Sequence, residues 1–478
     1  MPASEGFDNI MYLDDVIRYC LPLVFLGFKE STYRAFSFKF TKDAEMEMDN
    51  DADFGTMEKI ALGVNSRKKG EAVRVIYDQE MPKELNTKEL DASLAGGRYQ
   101  NHKDLMSFPD CGHKELKYEK WAPIMKPEFL SNESILDQIR EKDRFIHVPY
   151  HSFNGYIRVL REAAIKPEVK AIKTTLYRLA KDSKVVKALI TAARNGKKVT
   201  AVVELLARFD EESNIKWSKR MQEEGVNVIF GVEGLKIHSK LLYIESKKGN
   251  IACVGTGNFH EGNAKIYTDY LMMTARTKLV NEVAKVFDFI DRPFSPFRFN
   301  ELLVSPNSMK SRILRMLDTE IKNANEGKEA WVKMKINHIT DTDMVTKLYQ
   351  ASKAGVKIDI VIRGNCSLVP GIAKLSDNIR CVGIIDRYLE HSRILIFANG
   401  GKPRYFIGSA DWMPRNLINR IEVLTPVYDE DMQADLLRTI SYGMRDTMNG
   451  RVVDGKGGKE FVEGEPFRSQ EELYKAYK

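Results

Sequence analysis

The sequence predicts an α/β fold built twice, in two tandem units that follow a smaller mixed α+β segment. Three observations carry that prediction. Strand-length apolar runs alternate with helix-length runs from about residue 125 onward. The pattern of the first such stretch returns in the second half of the chain. The composition, 43% hydrophobic and 29% charged over 478 residues, is that of an ordinary globular protein too long for one compact core.

In residues 1–124, FSFKF (36–40) and VRVIY (73–77) alternate as half-buried strands do. The segment opening with MPASEG runs into a helix-like stretch and does not read as a signal peptide. YCLPLVFLGF (19–28) is apolar, but it is roughly half the ~20 residues of a membrane span and contains Pro22. Beyond it, VKAIKTTLY (169–177), KVTAVVELLA (198–207) and VNVIFGV (226–232) read as buried strands, with helices at 155–165, 183–195 and 211–224. That alternation argues for a largely parallel sheet covered by helices. The end of the chain, polar and Gly-rich from Asn449, reads as a loose tail leading to a short terminal helix.

The repeat is specific. HSKLLYIESKKGNIACVGTGN, starting at His238, matches HSRILIFANGGKPRYFIGSAD, starting at His391. Each has a basic residue at plus two, a glycine at plus seventeen and an amide or acid at plus twenty. Upstream, VVKALITAARNGKKVTAVVEL (185–205) answers MVTKLYQASKAGVKIDIVIRG (344–364), with Gly196 opposite Gly355. The two copies span 125–302 and 303–478, and their histidine strands are expected to face each other across one cleft.

Residues two apart on a strand share a face, so His238 lies with Lys240 and His391 with Arg393. An imidazole beside a fixed cation suits phosphorus chemistry: the cation neutralises phosphoryl oxygens while a neutral ring nitrogen attacks. Asn258 is placed to orient the ring or to donate to a phosphate oxygen, and Gly255 and Gly257 permit close backbone approach. A single strand histidine is more often structural than reactive, but two at matched positions need a joint explanation. Arg178, Arg208 and Arg363 fall near strand carboxyl ends, where ligands of open α/β sheets gather, and a guanidinium grips phosphate oxygens with a planar fork. The plainer reading of each is a surface ion pair, most of all for Arg208 with Asp210, Glu211 and Glu212 beside it. Cys20, Cys111, Cys253, Cys366 and Cys381 are odd in number, scattered and never CxxC, which fits a reducing cytoplasm and no structural zinc. The net charge of +7 favours an anionic partner only if the excess gathers at a site.

The segments LKIHSKL, VGTGNFHEGNAKIYTDY, ELLARFDEESNIKW, DRYLEHSRILIFANGG and SADWMPRN closely resemble those of the long-chain, histidine-phosphorylated bacterial polyphosphate kinase family. The two-copy layout also resembles the phospholipase D superfamily, whose motif is HxKx4D. The acid position of that motif holds Glu245 in the first copy and Ala398 in the second. The family resemblance implies two tandem phospholipase D-like α/β domains after the remainder of a head domain (1–124), which includes DAEMEMDND and GGRYQNHKD. It implies that His238 is the phosphorylated nucleophile, that Tyr267, Arg363 and His391 hold the nucleotide, with His391 also catalytic in proton or phosphoryl transfer, and that Arg178 and Arg208 stand near magnesium. Arginine does not ligate a cation, so those two would bind the surrounding phosphates or waters. It further implies ATP, ADP, Mg2+ and inorganic polyphosphate as reactants, no nucleic acid, a homo-oligomer (dimer or tetramer), and a cytoplasmic enzyme peripheral to the inner membrane. Family members carry a helical amino-terminal domain and the start of the head domain ahead of the segment matching MYLDDVIRYC, and an adenine-contacting asparagine lies in that part.

Two other readings compete. A phospholipase D-type phosphodiesterase acting on lipid or nucleic acid would use the same histidine, but the missing motif aspartates and the strand-end arginines weigh against it. A non-catalytic polyphosphate or nucleic-acid scaffold would have little reason to hold both histidines in register, and the sequence lacks a stacking array of aromatics.

Overall fold

The computed structural model of the chain describes residues 9–27, 33–42, 72–82, 92–204, 211–232, 234–293, 295–455 and 460–478. Arg208, the expected strand residues 205–207 and the DAEMEMDND segment lie outside them. The chain divides into two compact units, Met1–Lys120 and Trp121–Lys478. In the first, β1 (Phe38–Lys42), β2 (Ala72–Asp78) and β3 (Ala92–Gly96) form one small sheet, and a helix spans Leu13–Tyr19. Both expected strands of this region are present there.

The second unit contains both copies. Its first sheet uses β4 (Arg144–Val148), β5 (Val169–Leu176), β6 (Lys198–Val203), β7 (Asn227–Phe230), β9 (Lys240–Ser246), β10 (Ile251–Gly255) and β11 (Tyr267–Thr274). Its second uses β12 (Leu303–Ser305), β13 (Trp331–Ile336), β14 (Lys357–Ile362), β15 (Ile379–Ile384), β17 (Arg393–Phe397), β18 (Arg404–Gly408), β19 (Arg420–Val427) and β20 (Gly450–Val452). The orders correspond: β11-β10-β9-β5-β6-β7 in one, β19-β18-β17-β13-β14-β15 in the other, with β4 on β11 and β12 on β19. Among the strands just given, only β5, β6, β7 and β13, β14, β15 pair in parallel. The sheets are therefore mixed rather than largely parallel, because a connection as short as 247–250 between β9 and β10 can join only antiparallel neighbours.

Helices Asn154–Ile165, Lys184–Arg194 and Glu211–Glu223 stand where the sequence places them. Ser183 and Asp341 cap corresponding helices by accepting the N–H groups of Val186 and Met344. Gly196 and Gly355, matched in the repeat, follow those helices at φ of +76° and +95°, where a Cβ is disfavoured. One buried cluster takes Leu241, Val254 and Tyr270 from the first sheet and Ile394, Ile407 and Val423 from the second, so the copies share a core.

The short terminal helix expected from the sequence is present, and it is packed. Helix Ser469–Tyr477 buries Leu473 and Tyr474. The Tyr474 ring stacks on Trp121 at 4.6 Å, and the Tyr477 hydroxyl lies 2.8 Å from both His147 Nδ1 and Asp435 Oδ2. Its aromatic anchors, spaced along one helical face, were not singled out in the sequence.

Candidate functional site

Each copy lends a short strand to the other. β8 (Lys236–Ile237) pairs parallel with β19, and β16 (Leu389–Glu390) pairs parallel with β11. The residue after each short strand is one of the repeated histidines, so the exchange brings both rings to the seam between the sheets. The His238 amide donates to Ile421 O at 3.0 Å.

The His238 Nδ1 lies 2.9 Å from the Glu422 carboxylate, and Glu422 also accepts from Asn416 Nδ2 at 2.6 Å. The Tyr177 ring meets the imidazole edge-on at 5.1 Å. On the other side, His391 Nδ1 lies 2.8 and 3.0 Å from the two oxygens of Asp269, and the Tyr267 ring is 5.0 Å away. Each histidine is thus held by an acid from the opposite copy. The sequence reading missed both acids, although a signal existed: each stands at plus thirty-one after its own copy's histidine. Asn258 does not orient the His238 ring. Glu422 does, and the Asn258 Oδ1 is buried with no partner among the described residues.

Burial pushes the His238 pKa down to about 3, with Lys240 and Arg420 acting in the same direction and Glu422 opposing. The ring is neutral at neutral pH. Burial raises the Glu422 carboxyl, but His238 and Lys240 outweigh it and the net shift is downward. An ionised Glu422 accepts the Nδ1 proton, which leaves the lone pair on Nε2. No partner faces that Nε2 among the described residues.

The two cations differ. Lys240 turns its ammonium to the His238 carbonyl and lies 5.3 Å from the Tyr177 ring centroid. Burial lowers its pKa to about 7, since Asn258 supplies no carboxylate where the second copy has Asp411. Arg393 is paired with Asp411 at 3.0 Å and reaches Thr256 O at 3.2 Å. Its Nη1 also lies 3.2 Å from Nε2 and 3.4 Å from Nδ1 of His391. A fixed guanidinium against that ring opposes the positive charge that nucleophilic attack would build on it, so His238 is the better placed nucleophile.

Arg178 sits 5.6 Å from the Tyr177 ring, on the His238 side. Arg363 donates to Asn337 Oδ1 at 3.3 Å, and Asn337 donates to His391 O at 3.2 Å, which places Arg363 on the His391 side. Gly257 is required sterically: a Cβ there would fall 1.9 Å from Asp269 Oδ2. Exposed Arg415 and half-buried Arg420 add positive charge that the sequence reading did not single out.

Among the described residues no group of three His, Cys, Asp or Glu side chains is arranged to hold a metal ion. Arg178 carries no lone pair for one, and Asp269, Asp411 and Glu422 are each engaged by a cation or an imidazole. These side chains do not fit a resident magnesium site.

Fold and site together define a class: a duplicated α/β protein whose two exchanged histidines sit in a cationic seam suited to phosphoryl groups. Matches to known proteins make this definite. Family models described as polyphosphate kinase middle domain, C-terminal domain 1 and C-terminal domain 2 match residues 1–108, 134–296 and 302–470. The chain is 43% identical to the polyphosphate kinase of Vibrio cholerae over 97% of its own length and 68% of that protein's, and 41% identical to that of Escherichia coli over 95% and 68%. The crystal structure of the Porphyromonas gingivalis polyphosphate kinase superposes with a TM-score of 0.82 at 35% identity, covering 98% of this chain and 70% of that one. The chain belongs to the polyphosphate kinase family.

Proposed function

We propose that this protein transfers the terminal phosphate of ATP reversibly to inorganic polyphosphate through a phosphohistidine on His238. The observation that carries the proposal is the 2.9 Å contact of His238 Nδ1 with Glu422, which supports a neutral ring with its lone pair on Nε2. In the first step Nε2 bonds the γ-phosphorus while the β,γ-bridging oxygen departs with its electron pair as part of ADP. Glu422 offsets the positive charge that develops on the ring. In the second, a terminal oxygen of polyphosphate attacks the phosphorus, and the P–N bond breaks to restore the neutral imidazole. Arg363, Tyr267 and His391 hold the nucleotide on the opposite side of the seam, Arg178, Lys240 and Asn258 serve the phosphate oxygens on the His238 side, and Arg208, outside the described residues, is assigned to the phosphates by the family resemblance.

The same reading divides the chain into 1–124, 125–302 and 303–478. It also carries a homo-oligomer and a cytoplasmic location at the inner face of the membrane. No helix among the described residues is long and apolar enough to cross a bilayer.

Incubation with γ-labelled ATP is expected to label His238 with an alkali-stable, acid-labile phosphate that ADP removes. The His238→Ala variant should take up none, and α-labelled ATP should leave none. An alkali-labile label, or undiminished labelling of the variant, overturns the proposal and returns the diesterase reading.

A further inference from the structure

The internal repeat also shows where the two copies differ at the end of a corresponding strand. Thr174 pairs with Leu242 in the first sheet, and Met334 pairs with Leu395 in the second; Leu242 and Leu395 each stand four residues after their copy's histidine. Four residues beyond Thr174 is Arg178, and four beyond Met334 is His338. Where the first copy puts an arginine at the strand end, the second puts an imidazole.

That imidazole is held firmly. Its Nδ1 accepts the amide of Asn365 at 2.9 Å, and its carbonyl accepts from Trp412 at 3.0 Å. The ring packs against Gly364, where a Cβ would fall 2.3 Å from it. Because Nδ1 is an acceptor, the ring proton of the neutral form resides on Nε2. No partner faces Nε2 among the described residues, and the side chain is only half-buried. Arg363, Arg393 and Arg415 all lie within electrostatic range, with Asp411 the acid among them, and Asp411 is taken by Arg393. An oriented N–H donor set among three guanidinium groups has an anion as its natural ligand.

We propose that His338 is a further substrate-binding residue, its Nε2–H donating to an oxygen of the phosphoanhydride chain that lies beside Arg363 and Arg393. The proposal rests on the functional reading above and extends it to a residue outside the paired motif. The chain in question belongs to the nucleotide or to polyphosphate, which share this chemistry.

Two substitutions separate binding from support. In His338→Asn the amide oxygen keeps an acceptor near the Nδ1 position but loses the reach of Nε2. In His338→Gln a donor stands near the Nε2 position, and the acceptor for Asn365 is lost. With the full chain, the Asn variant is expected to show about a 10-fold higher KM for ATP in the forward direction or for polyphosphate in the reverse, at unchanged melting temperature. The direction affected identifies the chain that His338 touches. The Gln variant should stay within about threefold of the native KM while melting lower. A native KM in the Asn variant overturns the proposal, as does equal kinetic loss in both variants accompanied by equal loss of melting temperature. Labelling of His238 by γ-labelled ATP is measured alongside. Native labelling with unchanged KM rejects His338 alone, whereas an unlabelled native protein rejects the phosphohistidine reading itself.

Discussion

At the scale of single residues, the two acids decide what the histidines can do. Glu422 and Asp269 are buried, and each faces an imidazole rather than solvent. Replacing Glu422 by Gln keeps the volume and removes the charge. The amide can then present its nitrogen to Nδ1, which favours the tautomer whose lone pair no longer faces substrate. We expect kcat to fall by about 10²-fold, the lower end of what general acid–base groups contribute, with KM for ATP little changed. The phosphoenzyme burst should slow in proportion. An unaltered burst rate in Glu422→Gln would remove Glu422 from the reaction.

At the scale of elements, the terminal helix reaches the seam through buried polar contacts. Gln470 donates to Glu390 Oε1 at 2.6 Å and to Tyr388 O at 2.8 Å, and accepts from Tyr388 N at 2.9 Å. Glu390 in turn pairs with Lys335 at 2.5 Å and accepts from Thr268 Oγ1 at 3.0 Å. Thr268 Oγ1 accepts the His391 amide at 3.2 Å and directly precedes Asp269. Replacing Gln470 by Leu leaves a buried carboxylate short of a donor, and unfolding should become easier by about 1–3 kcal/mol. Urea denaturation would measure this. Because β16 is only two residues long and pairs with β11 at this point, a fall in kcat should accompany the lower midpoint. A lower midpoint with native kcat would mean that the helix stabilises the unit without aligning His391.

At the scale of the whole molecule, burial of neutral histidines sets an acid limit. Burial lowers the pKa of His151 and of His238 from 6.5 to about 3, and lowers those of His391 and His147 as well. A depressed folded pKa means that the unfolded chain binds the proton first. The stabilisation is therefore complete above about pH 6.5 and is lost as pH falls toward about 3. Asp269, Asp411 and Glu422, all held below their ordinary range despite burial, act in the same direction at the lower end of that window. The melting temperature should be level above neutrality and decline steadily from pH 6 to pH 4. A melting temperature that is flat or rising over that interval would show that these rings are solvated in solution.

Much of this architecture was legible in the chain itself, for reasons that can be named. Periodicity placed the helices and most strands, because 3.6- and 2-residue repeats of apolar side chains are local properties. The spacing from His238 to Lys240, Gly255 and Asn258, and its echo from His391, marked the two copies and singled out the paired histidines, because a duplicated unit preserves distances along the chain. Strand-end position singled out Arg178 and Arg363, and the family resemblance singled out Tyr267, whose ring lies 5.0 Å from that of His391. What only the tertiary structure decided is who holds whom. The acids lie in the right register, at plus thirty-one in each copy, yet each serves the other copy's histidine. That exchange depends on β8 and β16 crossing between sheets, two strands of two residues each, too short to have a period. The direction of β9 and β10, the anchoring of the terminal helix by Trp121, and the tautomer of His338 likewise come from contacts between residues far apart in the chain. A local pattern records which face of a strand is buried, but it carries no information about the partner that face will meet.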